Sequence, residues 1–136
     1  MPVREAGPLL NEARQDEVRT YARYQGKPLR IAGVVLQKGM EHFRREVADF
    51  HGWGVGGGFG IASATARSQG VPYPFVLLGD PAVPSADVVK CYFTPREVDI
   101  VDGVKPGGQI ILEGVFYRLL HAPEHVVILL SKCAVK

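Results

Sequence analysis

Apolar and polar positions change rhythm several times along this chain, and each change predicts an element. Over residues 9–25, Leu10, Ala13, Val18 and Tyr21 recur at spacings of three to five among Glu, Arg, Gln and Asp, the period of an amphipathic N-terminal helix. Gln25-Gly26 and then Pro28 end it. Residues 29–37 are mostly apolar and β-branched, which predicts a first strand, and Gly33 inside it marks a bend or bulge. Met40, Phe43, Val47 and Phe50 return to helical spacing, with Arg44, Arg45, Glu46 and Asp49 on the other side. Residues 61–69 fit a short helix or an extended segment equally well.

Four more strands are predicted, over residues 75–78, 87–93, 109–120 and 126–135, separated by Pro- and Gly-rich turns. The fourth strand of the five is long enough to bend at Gly114. Residues 121–125 form the loop that joins it to the last. Between the third and fourth strands, Thr94-Pro95-Arg96-Glu97 carries three helix-start signals at once. Thr is an N-cap, Pro suits the first helical position, and Glu three residues on closes a capping box. That helix is short and ends near Asp102-Gly103.

A helix, five strands and a helix between the third and fourth is the order of the OB-fold, a partly open Greek-key barrel. The expected architecture is therefore mainly β: a five-stranded OB-fold Greek-key barrel forming a single domain over residues 1–136. Residues 1–8 are a flexible arm, 9–25 the N-terminal helix, and 38–72 a long Gly-rich insertion between strands 1 and 2.

Charge changes this picture mainly by its distribution. The 136 residues carry 16 basic and 14 acidic side chains, a net +2, too balanced for a strong duplex-DNA binder. Residues 1–50 hold nine of the basic and seven of the acidic side chains, and from 51 to 79 the single charge is Arg67. Six of the ten residues 51–60 are glycine, which resists regular structure. No apolar run spans a bilayer and residues 1–8 lack the apolar core of a signal peptide. With Met1 as the native start, a cytoplasmic protein with reduced Cys91 and Cys133 is expected.

Several landmarks together resemble the tRNA_anti-like OB-fold family of bacterial proteins. They are Asp16-Glu17-Val18 with Tyr24-Gln25-Gly26-Lys27, Ile31-Ala32-Gly33-Val34-Val35, Val89-Lys90-Cys91-Tyr92-Phe93, Gly107-Gly108-Gln109, Leu112-Glu113-Gly114 and Ser131-Lys132-Cys133-Ala134-Val135. The chain departs from the family pattern at Val115, where many relatives carry cysteine, and across residues 38–72, where relatives have a short connection. The resemblance implies an OB-fold and a binding role; its members are often exported.

Ligands of OB-folds sit on the face of strands 2 and 3 and on the loops beside it. The insertion lies at that place, so Phe43, Phe50, Trp53 and Phe59 are candidate anchors for a protein partner or for a homo-oligomer. The same aromatics alternatively fold over their own barrel as an added core layer. The Gly run is not a phosphate cradle, since it lacks the P-loop pattern and any Lys or Arg between Arg45 and Arg67.

The alternative function is single-stranded nucleic-acid binding on strands 2 and 3, with Tyr73, Phe75 and Tyr92 to stack on bases and Lys90 and Arg96 to meet phosphates. Alternation puts Tyr92 and Phe93 on opposite faces, so one of them at most faces a ligand. Cys91 and Cys133 fall on neighbouring strands of such a barrel, near enough for a disulfide in an exported relative, and are expected here as buried thiols. His121 and His125 flank a loop four residues apart, a spacing that binds metal readily on a helix and less so across Ala-Pro-Glu. His42 and His51 lie in the insertion, and a structural zinc site needs about four ligands. No nucleophile–base pattern or metalloprotease motif is present, so the expectation is a non-enzymatic protein with no metal and no cofactor.

Overall fold

The computed structural model describes residues 2–41, 72–80 and 87–136. Its elements in order are β1 (Val3–Glu5), α1 (Ala6–Gln15), α2 (Glu17–Tyr24), β2 (Pro28–Glu41), β3 (Tyr73–Gly79), β4 (Val88–Tyr92), a 3₁₀ turn (Pro95–Glu97), α3 (Val98–Asp102), β5 (Gln109–His121) and β6 (Val126–Val135). The protein is mainly β, with one six-stranded mixed sheet in the order β1-β2-β3-β4-β6-β5. Because β2 also pairs with β5, the last five strands follow one another round a ring. β4 and β6 run parallel, as do β1 and β2, and the other pairs are antiparallel.

Period-two alternation fills the inside of this ring. Ile31 and Val35 of β2, Val76 and Leu78 of β3, Val89 and Cys91 of β4, Leu112 and Phe116 of β5, and Ile128 and Leu130 of β6 are all buried in one cluster. α1 adds Ala6, Leu9, Leu10 and Ala13 to that cluster and touches β2, β3, β4 and β6. Side chains of this size are each worth about 1.5–3 kcal/mol when fully buried, so the cluster supplies most of the driving force for folding.

The capping box forms as expected. The Glu97 carboxylate accepts the Thr94 backbone N–H at 3.0 Å, and the chain turns through the 3₁₀ segment into α3. β6 has the expected bounds, and the register of β5 on β6 shifts across Gly114, where the bend was expected, and again between Phe116 and Arg118.

Other expectations need correction. Within the stretch expected as an arm, Val3–Glu5 pairs in parallel with Arg30–Ala32, and the helix already begins at Ala6. Three residues held by backbone hydrogen bonds leave no apolar rhythm to read. The single helix over 9–25 is two, because Asp16 takes an extended conformation and its carboxylate caps α2 by accepting the Arg19 N–H at 3.0 Å. That break rotates Val18 out of the core, and it is 79% exposed.

The first predicted strand is β2, and it continues four residues past its expected end, with Glu41 opposite Tyr73. Lys38 to Glu41 are therefore strand, not the start of an insertion or a second helix. Lys38 reaches across to donate to the Asp102 carbonyl at 2.6 Å, an orphan carbonyl at the end of α3.

Gly33 does not mark the bulge, which lies between Val35 and Gln37. It marks a close approach: a Cβ there would stand 3.2 Å from the Ala6 Cβ and 3.3 Å from the Gly79 carbonyl oxygen. Its lack of a side chain lets the start of α1 sit directly on the sheet.

Candidate functional site

Outside the ring, β3 and β4 carry a second, smaller hydrophobic layer. Phe75, Tyr92 and Leu129 are its buried members, and Tyr73, Leu77, Tyr117 and Val127 pack against them. Alternation puts it there. Val76 and Leu78 face inward on β3, as do Val89 and Cys91 on β4, so Phe75, Lys90 and Tyr92 must point outward. Phe75 and Tyr92 are cross-strand partners with ring centroids 6.5 Å apart in an edge-on arrangement, and Tyr117 lies 6.5 Å from Tyr92 on its other side.

Lys90 is the single basic residue of β3 and β4. Its ammonium stands 4.4 Å from the centre of the Phe75 ring and 5.2 Å from that of Tyr92, within cation–π range of both. It also forms an ion pair with Glu41, whose other carboxylate oxygen accepts the Tyr92 hydroxyl at 2.5 Å. Glu41 thus ties the end of β2 to β4. A partly buried cation among aromatic rings needs a counter-charge, because desolvation without one costs several kcal/mol.

Four of the five residues proposed for nucleic-acid contact are therefore gathered on one face: Tyr73, Phe75, Lys90 and Tyr92. The fifth is not. Arg96 is exposed on the 3₁₀ turn, and among the described residues no ion pair or ring contact joins it to the cluster. Tyr92 and Phe93 do occupy opposite faces, yet neither is open: Tyr92 is 6% exposed in the outer layer and Phe93 1% in the main core. The other candidates, Phe43, Phe50, Trp53 and Phe59, lie outside the described residues.

Sequence reasoning missed Glu41 and Tyr117. Glu41 was hidden by the helical spacing that begins at Met40, although its place one residue beyond an exposed Met40 fits strand alternation equally well. It also missed a second polar centre. Arg14 of α1 donates to Asp87 from both Nε, at 3.0 Å, and its terminal nitrogen, and the Val126 backbone N–H donates to the same carboxylate at 2.8 Å. Burial pushes the Asp87 carboxyl up, but the Arg14 and Val126 donors and the Arg14 charge outweigh it, so its pKa is held below the ordinary carboxylate value. This carboxylate fastens α1 to the start of β4 and of β6.

Of the two histidines among the described residues, His125 lies close enough to Asp87 for its charge to help lower that carboxyl's pKa, the last and smallest of the causes there. His121 Nδ1 lies 3.3 Å from Glu17 Oε1 at the exposed edge of α2. Among the described residues no three His, Cys, Asp or Glu side chains gather as a metal site would need, and no helix is long and apolar enough to cross a membrane.

By structure, then, this is a mainly β protein with a ring of paired strands, an outer aromatic layer and a helical cover. No family model matches the chain, and no curated protein is similar to it at a significant level. Among solved structures it is similar to the "putative nucleic acid-binding lipoprotein" of Klebsiella pneumoniae subsp. pneumoniae. The TM-score is 0.69 over all of this chain and 92% of that one, with 13% sequence identity. At that identity the likeness establishes a shared fold.

Proposed function

We propose that this chain is a non-catalytic OB-type binding module that takes a protein partner, or a second copy of itself, through the segment between β2 and β3. The five strands of the ring, renumbered from β2, follow the order 1-2-3-5-4 and back to 1, with strands 3 and 5 parallel. This supports the OB reading, and the landmarks described above support placing the chain among tRNA_anti-like OB domains. Phe43, Phe50, Trp53 and Phe59 are the proposed anchors, in a stretch whose low charge suits the core of an interface.

One observation carries the choice of ligand. On the outer face of β3 and β4, where OB domains hold single strands, Lys90, the basic residue of those two strands, is paired with Glu41 and the rings pack on one another. Base stacking needs open ring faces, and phosphates need unneutralised cations. The contacts that Phe75, Lys90 and Tyr92 already make within the chain support looking for the working part in the segment between β2 and β3.

A second reading, single-stranded nucleic-acid binding, is favoured by the description of the Klebsiella protein with the same fold. Two measurements separate them. Size-exclusion chromatography with light scattering should show an oligomer that deletion of residues 51–60 converts to monomer; a monomer at high micromolar concentration removes the self-association arm. A labelled single-stranded oligonucleotide should show no salt-sensitive binding at low ionic strength, and tight, salt-dependent binding would favour the second reading instead.

A further inference from the structure

Val126, Ile128 and Leu130 of β6 point into the ring, and the next position in that rhythm is Lys132. The chain avoids burying it with a bulge. Glu113 pairs with Ala134 and Val115 with Ser131, so Gly114 alone stands opposite both Lys132 and Cys133. Lys132 adopts φ 53°, the left-handed region that costs a non-glycine residue about 1 kcal/mol. Lys132 is thereby exposed and Cys133 is turned inward and buried.

The place it reaches is beside the other cysteine. Cys91 is fully buried on β4, directly across the parallel β4–β6 pair from Leu130. Cys133 folds back toward that residue, with Sγ 3.7 Å from the Leu130 carbonyl oxygen. Neighbouring strands are about 4.8 Å apart, so a cysteine folded onto Leu130 is brought to the partner strand's Cys91. Both belong to the same core cluster, and both are free thiols. Burial first, and the Cys91 thiol second, push the Cys133 thiol far above its ordinary pKa, so the closed ring holds it protonated and unreactive.

We propose that Cys91 and Cys133 are a folding-coupled disulfide pair: they join across β4 and β6 when the chain folds with a small disulfide oxidant present, and stay shielded thiols once the reduced ring has closed. With oxidised glutathione as the oxidant, the thiolate of one cysteine attacks the glutathione disulfide, forming a mixed disulfide and releasing one glutathione thiolate. The thiolate of the other cysteine then attacks the protein-side sulfur, forming the Cys91–Cys133 bond and releasing the second glutathione. The two cysteine protons end on the two glutathione thiols, and the two electrons lost by the protein reduce the glutathione disulfide.

The full chain, denatured and reduced, is refolded with or without a glutathione redox pair, then denatured and alkylated with a maleimide before intact-mass measurement. After oxidative refolding the pair predicts a monomer lighter by two hydrogens, with no alkylation and one cross-linked peptide joining Cys91 to Cys133. Reductive refolding predicts two alkylations. Adding oxidised glutathione only after reductive refolding should form the bond at least about tenfold more slowly, since opening must come first. Cys133→Ala should lose the cross-link and keep a single thiol or glutathione adduct. Two free thiols after oxidative refolding, disulfide-linked dimers, stable glutathione adducts on the unsubstituted chain, or equal rates before and after folding would each overturn the proposal.

Discussion

The hydroxyl of Tyr21 exchanges two hydrogen bonds with the backbone of Leu119, 98 residues further along the chain. It donates to the Leu119 carbonyl at 3.1 Å and accepts the Leu119 N–H at 2.7 Å. The pairing of β5 with β2 ends at Val115, so the outward backbone groups beyond it have no second strand to meet. Tyr21, together with the Gly26 and Lys27 backbone on Phe116, covers that edge from the helical side. An uncovered edge is a template for pairing with other chains, and here a phenol does the work of a strand.

Tyr21→Phe should therefore leave a part-buried N–H and carbonyl without partners while keeping the ring packed edge-on against Phe116. The expected loss is about 1–3 kcal/mol in chemical denaturation, with faster hydrogen exchange at the Leu119 amide. An unchanged midpoint and an unchanged Leu119 exchange rate would show that water replaces the hydroxyl without cost.

The glycine opposite the β6 bulge offers a sharper steric test. A Cβ on Gly114 would stand 2.7 Å from the Cys133 Sγ, 3.0 Å from the Leu130 Cβ and 3.1 Å from the Ser131 carbonyl oxygen. Gly114→Ala should cost about 1–3 kcal/mol through overpacking. Removing the sulfur should recover part of that, so the Gly114→Ala/Cys133→Ala pair is expected to be less destabilised than the sum of the single changes. Additive losses would place the strain on the backbone instead of on the sulfur.

These two relationships also show what the chain reveals before it folds. The five ring strands were legible because one buried face imposes a period of two, as in Val126, Ile128 and Leu130. The Thr94–Glu97 corner was legible because a capping box is local chemistry. β1 was not, since Val3–Glu5 is held by backbone pairing with a strand some 27 residues away in sequence. Asp16 looked like one more solvent-facing acid in a helix, whereas it ends one helix and caps the next. At the candidate site, period two correctly put Tyr92 opposite Phe93, and Lys90 was recognised as the strand pair's one cation. Its neutralisation by Glu41 was not legible, because Met40 and Glu41 also fit a helix and only the register of Glu41 on Tyr73 decides.

That ion pair makes its own prediction. Lys90→Met keeps most of the stem packed on Phe75 and Tyr92 but leaves the part-buried Glu41 without its cation. The expected loss is about 1–3 kcal/mol, since removing one member of a desolvated pair leaves the other's cost uncompensated. Glu41→Gln/Lys90→Met should be closer to the parent protein than Lys90→Met alone. If Lys90→Met is neutral to thermal and chemical unfolding, the pair is a solvated contact and the outer layer is held by its rings alone.

Acid should loosen α1 through Asp87. Its carboxyl pKa in the fold lies below the ordinary value because the Arg14 and Val126 donors outweigh the burial that opposes ionisation. A carboxyl whose pKa is lower in the folded than in the unfolded chain contributes stability that is fully present above the unfolded value. That contribution is lost as pH falls through the folded value. Stability should thus decline from the ordinary carboxylate range downward, with Glu113, held low by Arg30, adding to the same acid limb. Asp87→Asn keeps the shape but cannot ionise, so it should lower stability at neutral pH and flatten the acid limb, the two curves converging at low pH. Arg14→Met should raise the Asp87 pKa, read directly from its carboxyl carbon shift in an NMR titration. An Asp87 that titrates at or above the ordinary carboxylate value in the unsubstituted chain would show that burial prevails, and that the tie between α1, β4 and β6 does not depend on its charge.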